Sequence, residues 1–514
     1  MRSARATWAT VPAIVIIGLV LVAGIAPAQA ATQPLFSSAV ISGSSVYDAP
    51  QLFASYRDQL GQPLTQASAS AVAAALARMY ERDGYSRPEL QVDERTMAAG
   101  ILRIEVFEAR FTRVTFSGPA GPYQQRLAAL GAQIRDSNPV RPAQVQRALR
   151  EMRALAGLSV TAETAPDETV RNGFLLTLTT AYRPAEALVR ISNRGSREIG
   201  PVFVDGQALV NDLLGRDEKL GAVFTAATDF AEYHAAGAFA EVPLDARGAH
   251  FSLFGLHESS TPLASPLDPG TSYTRTLGVL RVAQPLHIGA SSAALVAGLD
   301  VDNQLTDQGG AVLRNDRLRI ADLGFEATAG NGAGAQYVVA LELRKGLDGL
   351  GSELQATDLV PDPRRRDFLL TRLQLMGIFL IDPRWTVRLD TLSQYSSYAL
   401  PYTEQLKIGG EVLGRGFEVA EVAGDSGADA RLELRRDLAH GLGSGKVSLY
   451  AYYDYGRVWS HYGTPTESAA IAAGGLAVSK GAFTGSVELA QPLIHPDVDG
   501  SKSPRVFFEI AGHF

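Results

Sequence analysis

From about residue 185 onward, hydrophobic and polar residues alternate one by one in short segments that turn-forming clusters separate. In one such segment, Arg431, Glu433 and Arg435 alternate with Leu432 and Leu434. This alternation is typical of β-strands whose two faces meet different surroundings. The pattern predicts an all-β region, and by itself it fits either a soluble sandwich or a membrane-spanning barrel.

Residues 35–182 follow a different pattern, in which helical periodicity and short strands occur twice. The first long helix places Val72 and Leu76 on one face, and its counterpart does the same with Val145 and Leu149. Each copy has the order strand, helix, helix, strand, strand. We interpret the region as a tandem repeat; the alternative is a single α/β domain with chance internal similarity.

The N-terminus has the features of an export signal. Arg2 and Arg5 precede an apolar run over residues 11–26, and Ala28 and Ala30 supply small residues at the cleavage position. We predict a signal peptide at 1–30, with a retained membrane anchor as the alternative. No later stretch approaches the roughly 18 uninterrupted apolar residues of a membrane-spanning helix.

Composition narrows the functional classes. The chain has 514 residues, of which 50 are glycine and none is cysteine, so no disulfide framework supports the exported protein. The net charge is −7 without a basic patch, which argues against a nucleic-acid partner.

Two strings near the C-terminus stand out. The first places Arg415 between Gly414 and Gly416, followed by Phe417, in a predicted long loop. The second puts Asp454 on the more polar face of a strand and is followed by Gly456. A charge on that face needs a partner, and Arg415 is the candidate.

These two strings, together with the order of the elements before them, resemble Omp85-type transporters, and among these the two-partner secretion translocases of the ShlB/FhaC/HecB family. Further matches along the barrel region support the resemblance: Asn193-Arg194-Gly195, Asn211–Gly215, Val242-Pro243-Leu244, Gly424-Asp425 and Glu433-Leu434-Arg435.

The resemblance implies the domain organisation. Residues 34–109 and 110–183 would be two α+β POTRA modules, and residues 185–514 a transmembrane barrel of about 16 antiparallel strands. Fourteen or eighteen strands would fit the spacing equally well. The exposed sheet edges of the modules could accept an extended chain as an added strand.

The resemblance also implies a mechanism for the two strings. The loop would fold into the barrel, and Arg415 would meet Asp454 there, while Phe417 packs against the interior. This chain departs from the family in having Gly414 where a small branched apolar residue is usual. It also leaves little room for an N-terminal plug helix, so we expect none.

The last strand places Val506, Phe508, Ile510 and the terminal Phe514 on one face. A terminal aromatic on an alternating strand resembles the signal read by the bacterial barrel-assembly machinery; an ordinary edge strand is the alternative. With the export signal, this ending favours the barrel over the sandwich.

Short strings that suggest enzymes carry little weight. Gly424-Asp425-Ser426-Gly427 is similar to a protease nucleophile motif but lacks an evident histidine base. The glycine-rich 441–447 lacks the spacing and the hydroxyl residue of a phosphate loop. We expect no enzymatic activity, metal or cofactor.

The sequence therefore predicts an outer-membrane translocase with modules in the periplasm. Its partners would be a secreted exoprotein, the barrel-assembly machinery and outer-membrane lipid. An Omp85-type assembly factor is the first alternative, and a passive porin or surface receptor is the second.

Overall fold

The structure is a computed structural model that describes residues 33–245, 248–262, 270–288, 291–330, 334–356, 362–438, 445–462, 466–496 and 501–514. The predicted signal peptide at 1–30 lies outside these ranges. Most of the glycine-rich string at 441–447 does so as well.

The first repeat forms a three-stranded sheet with two helices. Thr65 caps the long helix, whose buried face includes Val72, Leu76 and Tyr80, as the periodicity predicts. These side chains pack against the sheet, in which the first strand runs parallel to the central third strand. The elements are β1 (Ser38–Ser42), α1 (Ala49–Phe53), α2 (Gln66–Arg82), β2 (Glu89–Asp93) and β3 (Ile101–Phe107).

The second repeat has the same order of elements, so the predicted internal similarity is present. Its helices bury Leu127, Ile134, Leu149 and Met152, and the last strand of the repeat lies at the centre of its three-stranded sheet. The elements are β4 (Arg110–Ser117), α3 (Gln124–Asp136), α4 (Pro142–Arg153), β5 (Leu158–Pro166) and β6 (Gly173–Tyr182).

Sixteen antiparallel strands close into a barrel, the number that the family resemblance implied. In chain order, the strands are β7 (Ala185–Ser192), β8 (Phe203–Asn211), β9 (Lys219–Ala227), β10 (Tyr233–Pro243), β11 (His250–Ser260), β12 (Thr271–Ile288), β13 (Ser291–Gln308), β14 (Ala311–Gly330), β15 (Ala335–Gly346), β17 (Leu369–Asp382), β18 (Trp385–Ser396), β21 (Ser426–Asp437), β22 (Lys446–Trp459), β23 (Thr466–Lys480), β24 (Phe483–Ile494) and β25 (Arg505–His513). A short strand, β16 (Glu353–Ala356), pairs with β14 as an addition to the wall.

The barrel strands alternate as predicted. On β22, Tyr450, Tyr452 and Asp454 are buried on the inner face, whereas Leu449 and Tyr453 are exposed on the outer face. Apolar side chains therefore face outward, where lipid would contact them. Among the described residues, no helix is both long and apolar enough to cross a membrane.

The connection between β18 and β21, residues 397–425, folds into the barrel interior; we call it loop 6. It contains a two-stranded hairpin, β19 (Leu406–Ile408) and β20 (Val422–Gly424). Its residues Ile408, Leu413 and Phe417 are buried in one apolar cluster with Tyr450 and Tyr452 of the wall. Loop 6 therefore lies in the lumen, and its contacts with the wall define the candidate site.

Candidate functional site: the seat of loop 6

Glu488 on β24 is the centre of the contacts that hold the tip of loop 6, residues 409–421 between β19 and β20. We call the residues of the wall and of loop 6 that contact one another the seat. Its carboxylate is buried and accepts hydrogen bonds from Tyr450 Oη at 3.0 Å and Tyr452 Oη at 2.8 Å. Arg194 Nη2 donates a third at 3.1 Å. A buried carboxylate is stable only when donors satisfy it, and Glu488 has them from three residues.

Tyr450 reaches Glu488 by crossing the intervening strand β23 at Gly475. A Cβ at Gly475 would lie 2.5 Å from the Tyr450 ring, which is far inside van der Waals contact. A glycine at this place therefore lets side chains on β22 and β24 meet over β23.

Arg415, in the tip of loop 6, joins the same cluster. Its Nη2 lies 3.9 Å from Glu488 Oε2, and its guanidinium carbon lies 5.7 Å from the centre of the Tyr452 ring. Arg194 Nη1 donates to the Arg415 carbonyl at 3.1 Å. Burial opposes the charge, but the carboxylate of Glu488 outweighs it, so the pKa of Arg415 lies above its ordinary value.

Gly414 brings the backbone of loop 6 to the wall. Its N–H donates to Asp454 Oδ2 at 3.0 Å. Its φ of +62° is left-handed, and a Cβ there would lie 2.7 Å from Ile408 Cγ2. Glycine alone adopts this conformation at little cost, so the departure from the family's usual branched residue suits this tight turn.

Three more arginines bind the tip from different parts of the wall. Arg190 Nη1 on β7 lies 2.8 Å from Glu411, and Arg505 Nη2 on β25 lies 3.2 Å from Glu418. Arg431 Nη1 on β21 donates to the carbonyl of Val412 at 3.1 Å. The tip is thus held by side chains from both ends of the barrel sequence.

Apolar packing completes the seat of the tip. Phe417 is 4% exposed, and its ring meets the His495 ring edge-on, with 5.5 Å between centroids. A Cβ at Gly416 would lie 3.1 Å from Ala490 Cβ and 3.2 Å from Ile471 Cδ1. The backbone at Gly416 therefore runs close against the wall, which leaves no room for a larger residue without a shift.

A second set of contacts holds the root of loop 6, residues 397–408 and 422–425, on another part of the wall. Arg344 on β15 donates to both oxygens of Glu404, from Nε at 2.8 Å and from Nη2 at 3.1 Å. Both side chains are buried. Gln394 on β18 also donates to the Glu404 carbonyl at 2.8 Å.

Residues 176–479 match the family model described as haemolysin secretion/activation protein ShlB/FhaC/HecB. The chain belongs to this family. Its curated relatives include the outer membrane transporter CdiB of Escherichia coli, 25% identical over 503 residues, covering 93% of this chain and 82% of the relative. CdiB of Dickeya dadantii is 21% identical over 430 residues, which cover 82% and 76%.

Solved structures have the same fold. CdiB from Escherichia coli superposes with a TM-score of 0.73 at 21% identity, covering 95% of this chain and 93% of that one. CdiB from Acinetobacter baumannii gives 0.63 at 15% identity, covering 94% and 90%. With the family match and the closed barrel, the protein is an outer-membrane transporter of the two-partner secretion class.

For this family member, the predicted direct ion pair between Arg415 and Asp454 is wrong. Asp454 instead accepts the Gly414 N–H, one residue earlier, and the Arg415 side chain turns toward Glu488. The reason is geometric, because the left-handed turn at Gly414 presents its N–H to β22 and directs the next side chain elsewhere. The seat thus contains all five predicted residues, but Arg415 is directed to Glu488 and not to Asp454. The five are Gly414, Arg415, Gly416, Phe417 and Asp454.

The protease-like string Gly424–Gly427 shapes the root of loop 6. Asp425 accepts hydrogen bonds from the Leu400 N–H at 2.8 Å and the His461 N–H at 2.7 Å. The buried Ser426 hydroxyl exchanges hydrogen bonds with the backbone of Ser396. This hydroxyl is already used in hydrogen bonds to the backbone. The His461 ring contacts the Ser396 carbonyl rather than the Ser426 hydroxyl.

Several residues of the seat were not singled out from the sequence: Glu488, Arg190, Arg431, Glu404 and Arg344. The alternation places Glu488 and Arg431 on inward faces, and the quoted Asn193-Arg194-Gly195 string contains another contact residue. Those signals identify which side chains face inward. They do not identify partners, which come from strands that are distant in the sequence.

Proposed function

We propose that the protein exports an unfolded exoprotein through its barrel, and that loop 6 is the element that moves to open the path. The observation that carries this proposal is the position of loop 6, whose tip and root both bind the inner wall. A segment in the lumen obstructs an extended chain unless it shifts. Loops that close over a site are common gating elements in proteins.

The proposed entry site for the exoprotein is the pair of repeats, residues 34–109 and 110–183, which we assign as POTRA modules. Each sheet ends in outer strands, β1 and β2 in the first and β4 and β5 in the second. Outer strands carry unpaired backbone groups to which an extended chain can add. The glycine-rich string at 441–447 lacks the spacing of a phosphate-binding loop, and we propose that folding of the exoprotein outside the cell drives export.

We also propose that the last strand carries the signal for the barrel-assembly machinery. Val506, Ile510 and Phe514 are all exposed on the outer face, together with Phe508. This apolar row is accessible before the barrel closes and faces lipid afterward.

The test of the export proposal uses the exoprotein gene expected beside this one. The full chain should secrete that exoprotein when both are expressed together, and deletion of residues 34–183 should stop secretion while the barrel still reaches the outer membrane. Secretion that survives the deletion would favour a passive porin. A chain that instead supports insertion of other barrels, without any secreted partner, would favour an assembly factor.

A second test addresses loop 6. In single-channel recordings, Arg415→Ala should raise the open probability or the conductance relative to the wild-type chain. Arg384→Ala, in the turn between β17 and β18, is the matched control, because the hydrogen bonds of Arg384 among the described residues are with Asp382 and Asp437 and none is with loop 6. A recording that is identical for wild type, Arg415→Ala and a loop 6 deletion would contradict the proposal.

A further inference from the structure

A second buried carboxyl pair lies beneath loop 6, and its hydrogen bonding is incomplete. Asp429 on β21 is 2% exposed and Asp454 on β22 is 1% exposed. Neither carboxylate oxygen of Asp429 has a hydrogen-bond partner among the described residues. A buried carboxylate without a donor is costly, so this position requires an explanation.

The register brings the two acids together. Asp429 pairs with Gly456, which places Asp454 at the diagonal inward-facing position of the neighbouring strand. The two carboxyls are within hydrogen-bonding reach of each other. Two ionised carboxylates offer four acceptor oxygens and no proton, so such a contact is repulsive unless one proton lies between them.

Gly456 and loop 6 confine the Asp429 carboxyl. A Cβ at Gly456 would lie 2.5 Å from Asp429 Oδ2 and 2.4 Å from Ile408 Cδ1. Ile408 belongs to β19 of loop 6 and is 1% exposed. The carboxyl therefore lies between a wall glycine and an apolar side chain of the loop, where water has little access.

The charged groups around the pair do not supply the missing donor. Arg431 lies directly opposite Asp454 in the register of β21 and β22, but its Nη1 donates to Val412 and its Nη2 binds Asp390 at 3.0 Å. Its Nε has no hydrogen-bond partner among the described residues, so it does not supply the donor either. Arg415 of loop 6 is directed to Glu488. The Gly414 N–H donates to Oδ2 of Asp454, and no donor hydrogen of the described residues lies between Asp454 and Asp429.

We propose that Asp429 and Asp454 form a proton-binding site in which one shared proton is retained at neutral pH while loop 6 covers it. The proton passes from solvent to one carboxylate and closes an O–H···O hydrogen bond between the two acids. Withdrawal of Ile408 admits water and releases the proton. By linkage, a rise in pH favours the withdrawn loop.

Infrared spectroscopy of the full-length protein in detergent tests the site directly. An ordinary aspartate is ionised well above about pH 3.9, so at neutral pH a carbonyl band from a protonated carboxyl is expected from this buried pair. Asp429→Asn should remove that band, since its amide can donate to Asp454 in place of the shared proton. Asp437→Asn, at the periplasmic end of the same strand and away from loop 6, should leave it.

The absence of a protonated carboxyl band at neutral pH would overturn the proposal without relying on any variant. A band that appears only after treatment with a chelator would show that a cation occupies the pair, and would also overturn it. A band that persists unchanged in Asp429→Asn would place the proton elsewhere. None of these results depends on export, so the proton site and the proposed function can fail separately.

The linked effect on the pore gives a functional readout. Wild-type channels should open more often as the pH rises from about 6 to about 9, whereas Asp429→Asn channels should respond much less across this range. An equal response in both would contradict the link between proton and loop.

Discussion

Two buried carboxyl sites hold the tip of loop 6, and they are built in opposite ways. Glu488 is surrounded by donors from Arg194, Tyr450 and Tyr452, with Arg415 nearby. Within the part of the chain that the structure describes, Asp429 has no hydrogen-bond donor, and its neighbour Asp454 receives one backbone N–H from the loop. The first site keeps its negative charge through donors that belong mainly to the wall. The second depends on the loop to cover it.

The difference indicates how a loop can be held firmly and still be released. If loop 6 withdraws as proposed, the three donors to Glu488 stay in place, and that site loses only Arg415. The Asp429 and Asp454 site changes its exposure to water as soon as Ile408 moves. On the proposed mechanism, the position of loop 6 is therefore coupled most strongly to the carboxyl site with the fewest hydrogen bonds.

The largest effect is expected when the donor-rich site is removed. Glu488→Ala leaves the buried Arg194 and the half-buried Arg415 without their carboxylate, and breaking the buried pair of Arg194 and Glu488 costs about 3–5 kcal/mol. Thermal unfolding, followed by the mobility shift of the folded barrel in gels, measures the loss. Glu433→Ala is the control, because its partner Arg435 is 40% exposed and the cost should stay within about 1 kcal/mol. Equal losses of stability in both variants would show that Glu488 contributes no more to the stability of the barrel than Glu433 does.

A smaller effect is expected when the second site is crowded. Gly456→Ala places a methyl group against Asp429 Oδ2 and Ile408, and overpacking of this kind costs about 1–3 kcal/mol. It should also displace the loop, which single-channel recording detects as more frequent opening. Gly485→Ala on β24 is the control, since its Cβ would lie 3.7 Å from the nearest atom, the Glu509 carbonyl oxygen. If Gly456→Ala channels open no more often than wild-type channels, the crowding argument is wrong.

The root of loop 6 provides a third point of comparison. Glu404→Gln removes the charge that Arg344 binds, but Asp300 and Glu342 still contact Arg344, so the loss should be about 1 kcal/mol. Because the chain has no cysteine, a single Tyr402→Cys can report exposure of the root through its labelling rate. Labelling should quicken in Glu404→Gln. Glu342→Gln removes a partner of the same arginine on the wall and should leave the rate unchanged.

The smallest effect concerns pH at the root. Burial, with help from the positive charge of Arg275, lowers the pKa of Lys407 to about 8. The unfolded chain therefore binds more protons than the folded one between about pH 8 and about pH 10.4, so stability rises with pH in this window.

We expect the rise to stay below about 1 kcal/mol in a hydrated lumen, and to disappear in Lys407→Met. Denaturant unfolding at several pH values measures it, and Lys446→Met, at the periplasmic end of β22, serves as the control. A slope of opposite sign in the wild type would contradict the argument.

Local patterns were sufficient to predict the elements of the fold. Period-two alternation placed Asp454 and Tyr452 on one face of β22, and helical periodicity placed Val72 and Leu76 on the buried face of α2. Both depend on neighbours within a few positions of the chain, which a sequence displays directly.

The partner of Arg415 could not be predicted in the same way. Glu488 meets Tyr450 only because β23 lies between their strands and carries Gly475 at the crossing. Whether an inward arginine finds Asp454 or Glu488 depends on register, strand tilt and the one left-handed residue at Gly414. These are properties of the closed barrel, and several inward-facing acids satisfied the sequence pattern equally.

The seam between the first and last barrel strands has five residue pairs, against eight between β24 and β25. The tip of loop 6 touches both flanks of this seam, through Arg190 and Arg194 on one side and Glu488 and Arg505 on the other. The tip of loop 6 therefore bridges the two sides of this short strand pairing. If loop 6 withdraws as proposed, these contacts across the pairing of β7 and β25 are lost as well, so opening the channel would also weaken the wall.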